Sequence, residues 1–243
     1  MDKLGIWLGQ AWQHLQDHWR DHLVPALALG GIIFAMVFVG ILVVGGLTMI
    51  GVALDEEELT IALAMGGSLL FTLVFMVAYL PLVVGYIKGT LKLMRGGEFV
   101  VGDLFSGLRE TPAALLVMAI TMIGVWIGML FFYIPGIIVA VVLWFTLPLV
   151  ADGVGPIDAV KKSIEMIKPY FFPMLVYQFI FGFLIGVVAY IPFVGMFLVM
   201  PISFVMMAVP YLDLYREHFG EHPDEIEDED FGEGPVRDAY GEL

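Results

Sequence analysis

Three histidines, His14, His18 and His22, recur at i, i+4 and i+8 near the start of the chain. On a helix this spacing lines imidazoles along one face, where ring nitrogens can share a divalent ion such as Zn²⁺. Asp17 and Asp21 flank them without completing a tetrahedral set, so the three are weak metal candidates. The plainer reading makes them half-polar rings at the headgroup level, beside Trp7, Trp12 and Trp19 as interfacial anchors. His218 and His222 repeat the spacing next to Glu217 and Glu221, and residues 224–230 carry six carboxylates in seven positions. Hard cations favour such oxygen ligands, yet no EF-hand spacing is present, and a solvated tail is the default for this composition. The absence of cysteine removes disulfides, thiolate metal sites and cysteine nucleophiles together. No cofactor is implied.

The elements that position these residues follow from composition. Of 243 residues, 60% are hydrophobic and 15% charged, against about 25% charged in soluble domains. An ordinary soluble enzyme is excluded, and the chain reads as an all-α polytopic membrane protein. A hydrocarbon core of about 30 Å needs about 20 apolar residues in a helix. Six runs meet or approach that length: 23–52, 60–87, 112–133, 135–151, 171–190 and 192–212. The fourth is the shortest, and its alternative to a full span is a re-entrant hairpin. The polar, Trp-rich N-terminal stretch does not read as a cleavable signal peptide.

Charge sets the expected orientation. All eleven Lys and Arg residues fall before span 1, between spans 2 and 3, between spans 4 and 5, or after span 6. The opposite loops offer only Asp55 to Glu58 and two uncharged turns. The positive-inside rule then places both termini in the cytoplasm, in a cell (inner) membrane. The net charge of −14 is uneven: residues 1–216 hold 10 basic and 14 acidic groups, whereas 217–243 hold 1 and 11. A nearly balanced membrane domain, 1–216, therefore carries an acidic tail, 217–243, whose sign argues against nucleic acid as a partner.

Three segments have the pattern of helices lying in the interface ahead of a hairpin of spans. One covers 4–19. The second covers 156–168, with Ile157, Val160, Ile164 and Ile167 as its apolar stripe. A shorter one starts at Asp103, read as an N-cap. An internal repeat is also legible, since Gly124-xxx-Gly128 is matched by Gly182-xxx-Gly186 and Tyr133-Ile134-Pro135 by Tyr190-Ile191-Pro192. Both glycine pairs permit close helix approach, either within the chain or in self-association. Lys88, Lys92, Arg95, Lys161, Lys162 and Lys168 are candidates for anionic headgroups at about 1 kcal/mol each, although positive-inside topology alone also accounts for them.

The amphipathic helix, the Tyr-Ile-Pro-Gly turn at 133–136 and the run Leu-Pro-Leu-Val-Ala-Asp-Gly-Val-Gly-Pro-Ile-Asp-Ala-Val-Lys-Lys-Ser at 147–163 resemble a broad group of six-span proteins. These include the membrane domains of some bacterial glycerophosphodiester phosphodiesterases and related membrane proteins of unknown function. The likeness covers about residues 5–216 and implies a fold of three hairpins. It carries over no catalytic residue.

Within the six runs there is no Asp, Glu, Lys, Arg or His. Ionisable groups in lipid usually mark ion paths or proton relays, so their absence argues against a proton-coupled transporter or an intramembrane hydrolase. Thr48, Ser68, Thr72, Thr121, Thr146, Gln178 and Ser203 remain, and structural glue is the simplest role for them. Gln178 is expected to face another helix. The expectation is a non-catalytic scaffold or accessory subunit that organises lipid or a partner protein, or a homo-oligomer, with the tail as docking element. The alternative is a transporter or channel for a lipid or apolar solute, through a cavity lined by Gln178, Thr121 and Thr146.

Overall fold

The amphipathic start of the chain and the first span form one element. α1 (Asp2–Ala53) runs 52 residues, about 78 Å at 1.5 Å per residue, far beyond a bilayer core. It bends where the two parts meet: His18 leaves helical geometry (φ −117°, ψ 20°) and Pro25 lies within the helix, where it lacks an N–H for the carbonyl four residues back. The separate interfacial helix expected at 4–19 is thus the lower limb of α1. The computed structural model describes residues 2–191 and 194–220. The acidic segment from residue 221, with His222, and Pro192 of the second Tyr-Ile-Pro turn lie outside the described residues.

Eight α-helices follow in order among the described residues, with no strand. α2 (Glu57–Met94) pairs with α1 as the first hairpin. A 3₁₀ helix (Val101–Leu108) leads to α3 (Thr111–Leu130), α4 (Ile134–Val142) and α5 (Thr146–Ala151). α6 (Pro156–Ile167) precedes α7 (Phe171–Ala189) and α8 (Val194–Phe219), the third hairpin. Among the described residues six helical segments are long and apolar enough to cross a membrane, the fourth being α4 and α5 together, Ile134–Ala151. The architecture is therefore an all-α, six-span membrane fold of three hairpins.

The core lies toward the charged end. Leu80 to Ile87 of α2 are all buried, and Trp7 of α1, Phe145 just ahead of α5, Tyr177 of α7 and Tyr211 of α8 close around them. The 3₁₀ helix presses directly on α2. A Cβ on Gly85 would lie 2.1 Å from the Leu104 carbonyl oxygen, and one on Gly107 2.2 Å from that of Pro81, so only glycine admits this approach. Asp103 is not the N-cap expected of it. It sits three residues inside, and its Oδ2 accepts the Val100 N–H at 3.0 Å, the backward half of a capping box. The outer half of the first hairpin is apolar on all sides, with Phe34, Phe38, Ile41, Leu69 and Leu73 exposed, as suits a helix pair surrounded by hydrocarbon. Phe132 and Tyr133 (φ 65° and 62°) form the α3–α4 turn. Their exposed rings, with Tyr190, supply aromatics at the level of the second interface.

α6 splits its apolar stripe, turning Ile167 inward and leaving Ile157 and Ile164 outside as an interfacial helix requires. Its buried face is Ala159, Ser163, Met166 and Ile167, while Ile157 and Ile164 remain exposed and available to lipid. The reason is local. The fourth span breaks between Val142 and Thr146, and a broken helix at membrane depth must have its backbone re-satisfied by neighbours. Ser163 does so: its hydroxyl donates to the Val142 carbonyl at 2.7 Å and accepts the Phe145 N–H at 3.2 Å. Thr146 Oγ1 donates to Leu143 O at 2.8 Å, and Gln178 Nε2 reaches Val141 O at 3.5 Å. Gln178 thus faces another helix, as expected. A small polar side chain on the inner face of α6 serves this break better than an isoleucine.

Candidate functional site

The last two turns of α2 place Lys88, Lys92 and Arg95 at i, i+4 and i+7, one face of a helix. Opposite that face stand the 3₁₀ helix, the start of α3 and the end of α5, and a cleft of about 630 Å³ lies between them. Each cation meets a carboxylate from another element. Lys88 Nζ lies 2.9 Å from Glu110 Oε1, and Lys92 Nζ lies 3.4 Å from Asp103 Oδ2. Arg95 takes Asp152 in a two-pronged pair, Nη1–Oδ1 at 3.0 Å and Nη2–Oδ2 at 2.7 Å. The Tyr211 hydroxyl donates to the same Oδ2 at 2.7 Å.

The Arg95–Asp152 pair is buried, with 7% and 4% of the side chains exposed, whereas Lys92 is half exposed. Both partners stand at helix C-termini, Arg95 ending α2 and Asp152 ending α5. Each is followed by a glycine of positive φ, Gly96 at 97° and Gly153 at 81°, which turns the chain off the helix. A helix C-terminus favours Arg and disfavours Asp, so the guanidinium compensates the carboxylate's unfavourable position. Glu110 has one carboxylate oxygen, Oε2, that is buried and lacks a hydrogen-bond partner among the described residues. The cleft offers matched charges of both signs.

A second polar cluster joins the two ends of the described chain. Lys3 bridges Asp213 at 3.0 Å and Glu217, Trp7 Nε1 donates to Asp213 at 2.8 Å, and the Tyr170 hydroxyl donates to Glu217. Partial burial works against charge on Lys3, but the hydrogen bonds from its ammonium to Glu217 and Asp213 outweigh it and hold its pKa above the ordinary range. Trp7, expected as an interfacial anchor, is fully buried and meets Tyr177 edge-on at 5.8 Å. Trp12 and Trp19 are exposed. Sequence reasoning overlooked Asp152, Asp213 and Glu110. The available signal was an acidic residue placed directly at the end of an apolar run, where it needs a cation.

The histidines are drawn together by the α1 kink. His14 and His22 are buried, their Nε2 atoms 3.3 Å apart, so that one ring donates to the other. His18 stacks on His14 with centroids 4.7 Å apart. Among the described residues no group of three or more His, Cys, Asp or Glu side chains converges to hold a metal. Burial, followed by electrostatic repulsion from the neighbouring His18, lowers the His14 pKa to about 4, against the opposing pull of Asp17 and Asp21.

The two glycine pairs part company. A Cβ on Gly124 would lie 3.0 Å from Val139, and one on Gly128 2.4 Å from the Gly136 nitrogen, so this pair packs α3 on α4. Gly182 and Gly186 have open space around them and pack no helix among the described residues, which is compatible with the self-association alternative. Lys161 lies 3.6 Å from Asp158, both exposed. Lys162 sits over the Phe219 ring at 4.7 Å, and Lys168 is exposed. Compared with protein-family models, curated proteins and solved structures, the chain matches none.

Proposed function

We propose that the protein is a non-catalytic membrane scaffold or accessory subunit that organises lipid or a partner protein, its charged end and both termini facing the cytoplasm. One observation carries this reading: the hydrogen bonds made by polar side chains at membrane depth serve the fold itself, Thr121 Oγ1 and Trp144 Nε1 being buried without a partner among the described residues. Thr48 and Thr72 bond the carbonyls of Val44 and Ser68 on their own helices. Ser163, Thr146 and Gln178 repair the break in the fourth span. With no ionisable residue in the six apolar runs, little chemistry is left to a transported ion or a reacting bond. The acidic tail serves as docking element for a basic partner.

Deleting residues 221–243 tests this while sparing Glu217 and its contacts with Lys3 and Tyr170. Membrane insertion and thermal stability should stay as in the full chain, and partners captured by cross-linking from native membranes should be lost. Unchanged capture defeats the docking role. A second reading, transport of a lipid or apolar solute, draws on the interrupted fourth span, because discontinuous helices build substrate sites in many transporters. Here Ala151 and Asp152 at its end line the cleft. Flux of lipid or small solutes through reconstituted vesicles would support that reading in place of the scaffold.

A further inference from the structure

The cleft between α2 and the 3₁₀ helix has two unspent valences of opposite character. Lys92 is half exposed, and its contact with Asp103 is long at 3.4 Å, while Asp103 Oδ2 is shared with the Val100 N–H. An ammonium carries three donors, so Lys92 keeps N–H groups for an incoming anion. Glu110 is the reverse case. Its Oε1 takes Lys88 at 2.9 Å, but Oε2 is buried with no donor, a costly state for a carboxylate oxygen. Arg95 and Asp152 beside them are committed to each other in a two-pronged pair. A purely anionic ligand entering here would meet three carboxylates, and a purely cationic one would meet three cations. A group with both an anion and an N–H donor meets each with its complement.

We infer that the cleft binds a zwitterionic amine-bearing phosphate of the phosphoethanolamine type, the phosphate toward Lys92 and the ammonium toward Glu110 Oε2. The rim favours a lipid as its source. Phe105 and Leu108 of the 3₁₀ helix are exposed next to Ser106 and Glu110 of the lining, so acyl chains can follow the apolar edge while the headgroup enters. The inference rests on the lipid-organising reading and fails separately from it, because a scaffold that docks a protein through its tail would pass the deletion test whatever this cleft holds.

The test is native mass spectrometry of the full chain in detergent with phosphatidylethanolamine, phosphatidylcholine or phosphatidylglycerol added at equal concentration, and with free phosphoethanolamine as competitor. Phosphatidylcholine is the informative control, since its quaternary ammonium has the charge without an N–H donor. One charge-assisted hydrogen bond corresponds to roughly tenfold in affinity, so phosphatidylethanolamine should be retained about tenfold better than either other lipid. Glu110→Gln should erase its advantage over phosphatidylcholine. Lys92→Gln, at a half-exposed position that leaves the fold intact, should weaken retention of phosphatidylethanolamine as well. Equal retention of the three lipids, or an undiminished preference in both variants, overturns the inference. Displacement of the lipid by an equal concentration of free phosphoethanolamine overturns the lipid source.

Discussion

Arg95 and Asp152, 57 residues apart in sequence, hold the ends of two helices together through parallel hydrogen bonds of 3.0 and 2.7 Å. A buried pair of this kind adds little net stability over an apolar pair of the same shape, because both charges are desolvated, but removing one partner strands the other. Arg95→Met or Asp152→Leu alone should each cost about 3–5 kcal/mol, read as thermal unfolding in detergent. The double variant should recover most of that loss. Additive losses in the double-mutant cycle would show that the two residues act independently.

The break in the fourth span yields a second prediction. Ser163→Ala leaves Val142 O and Phe145 N without the partner they have now. Side-chain hydrogen bonds between membrane helices average about 0.6 kcal/mol and reach about 1.7. Two served backbone groups put Ser163 at the upper end, about 1.5 kcal/mol. Thr72→Ala is the control, since Thr72 is exposed and bonds only a carbonyl of its own helix, and its loss should be near zero. Equal losses at the two sites would remove the repair role of Ser163.

The glycine pairs give a third. Gly128→Ala drives a methyl into the Gly136 backbone, 2.4 Å away, and should open the α3–α4 hairpin at a cost of about 1–3 kcal/mol. Gly186→Ala meets open space and should stabilise α7 by up to about 1 kcal/mol through helix propensity. Unfolding of both variants in the same detergent checks the contrast. A destabilised Gly186→Ala would mean that a second copy occupies that face.

This contrast marks how far the sequence could be read. Six apolar runs declared the spans because hydrocarbon imposes length and composition on each helix alone. Gly124-xxx-Gly128 and Gly182-xxx-Gly186 are the same pattern, and only the placement of α4 and α8 separates them. Trp7 looked like an interfacial ring on an amphipathic helix, yet Lys3 and Asp213 draw that limb against α7 and α8, a contact spanning 210 residues that no local pattern encodes. The basic face of α2 was legible as Lys88, Lys92 and Arg95. Its carboxylate partners were not, since Glu110, Asp103 and Asp152 come from three separate elements.

The buried histidine pair makes docking of the α1 limb sensitive to acid. His14 in the fold has its pKa lowered to about 4 from an ordinary 6.5, because burial and repulsion from His18 oppose protonation more than Asp17 and Asp21 favour it. A folded value below the unfolded one gives stability that is complete above pH 6.5 and is lost as pH falls toward 4. The loss by then is on the order of 3 kcal/mol. Hydrogen exchange over residues 2–22 should therefore accelerate between pH 6 and pH 4, once corrected for intrinsic rates. His14→Asn removes one of the two buried titrating rings and should reduce that slope, while Lys3 and Trp7 still hold the limb through Asp213. An identical slope in the variant would assign the acid response to His22, whose pKa burial lowers to about 3, because the clasp carboxylate Glu217, despite burial acting the other way, is held below its ordinary range by Lys3 and Tyr170 and releases Lys3 only at lower pH.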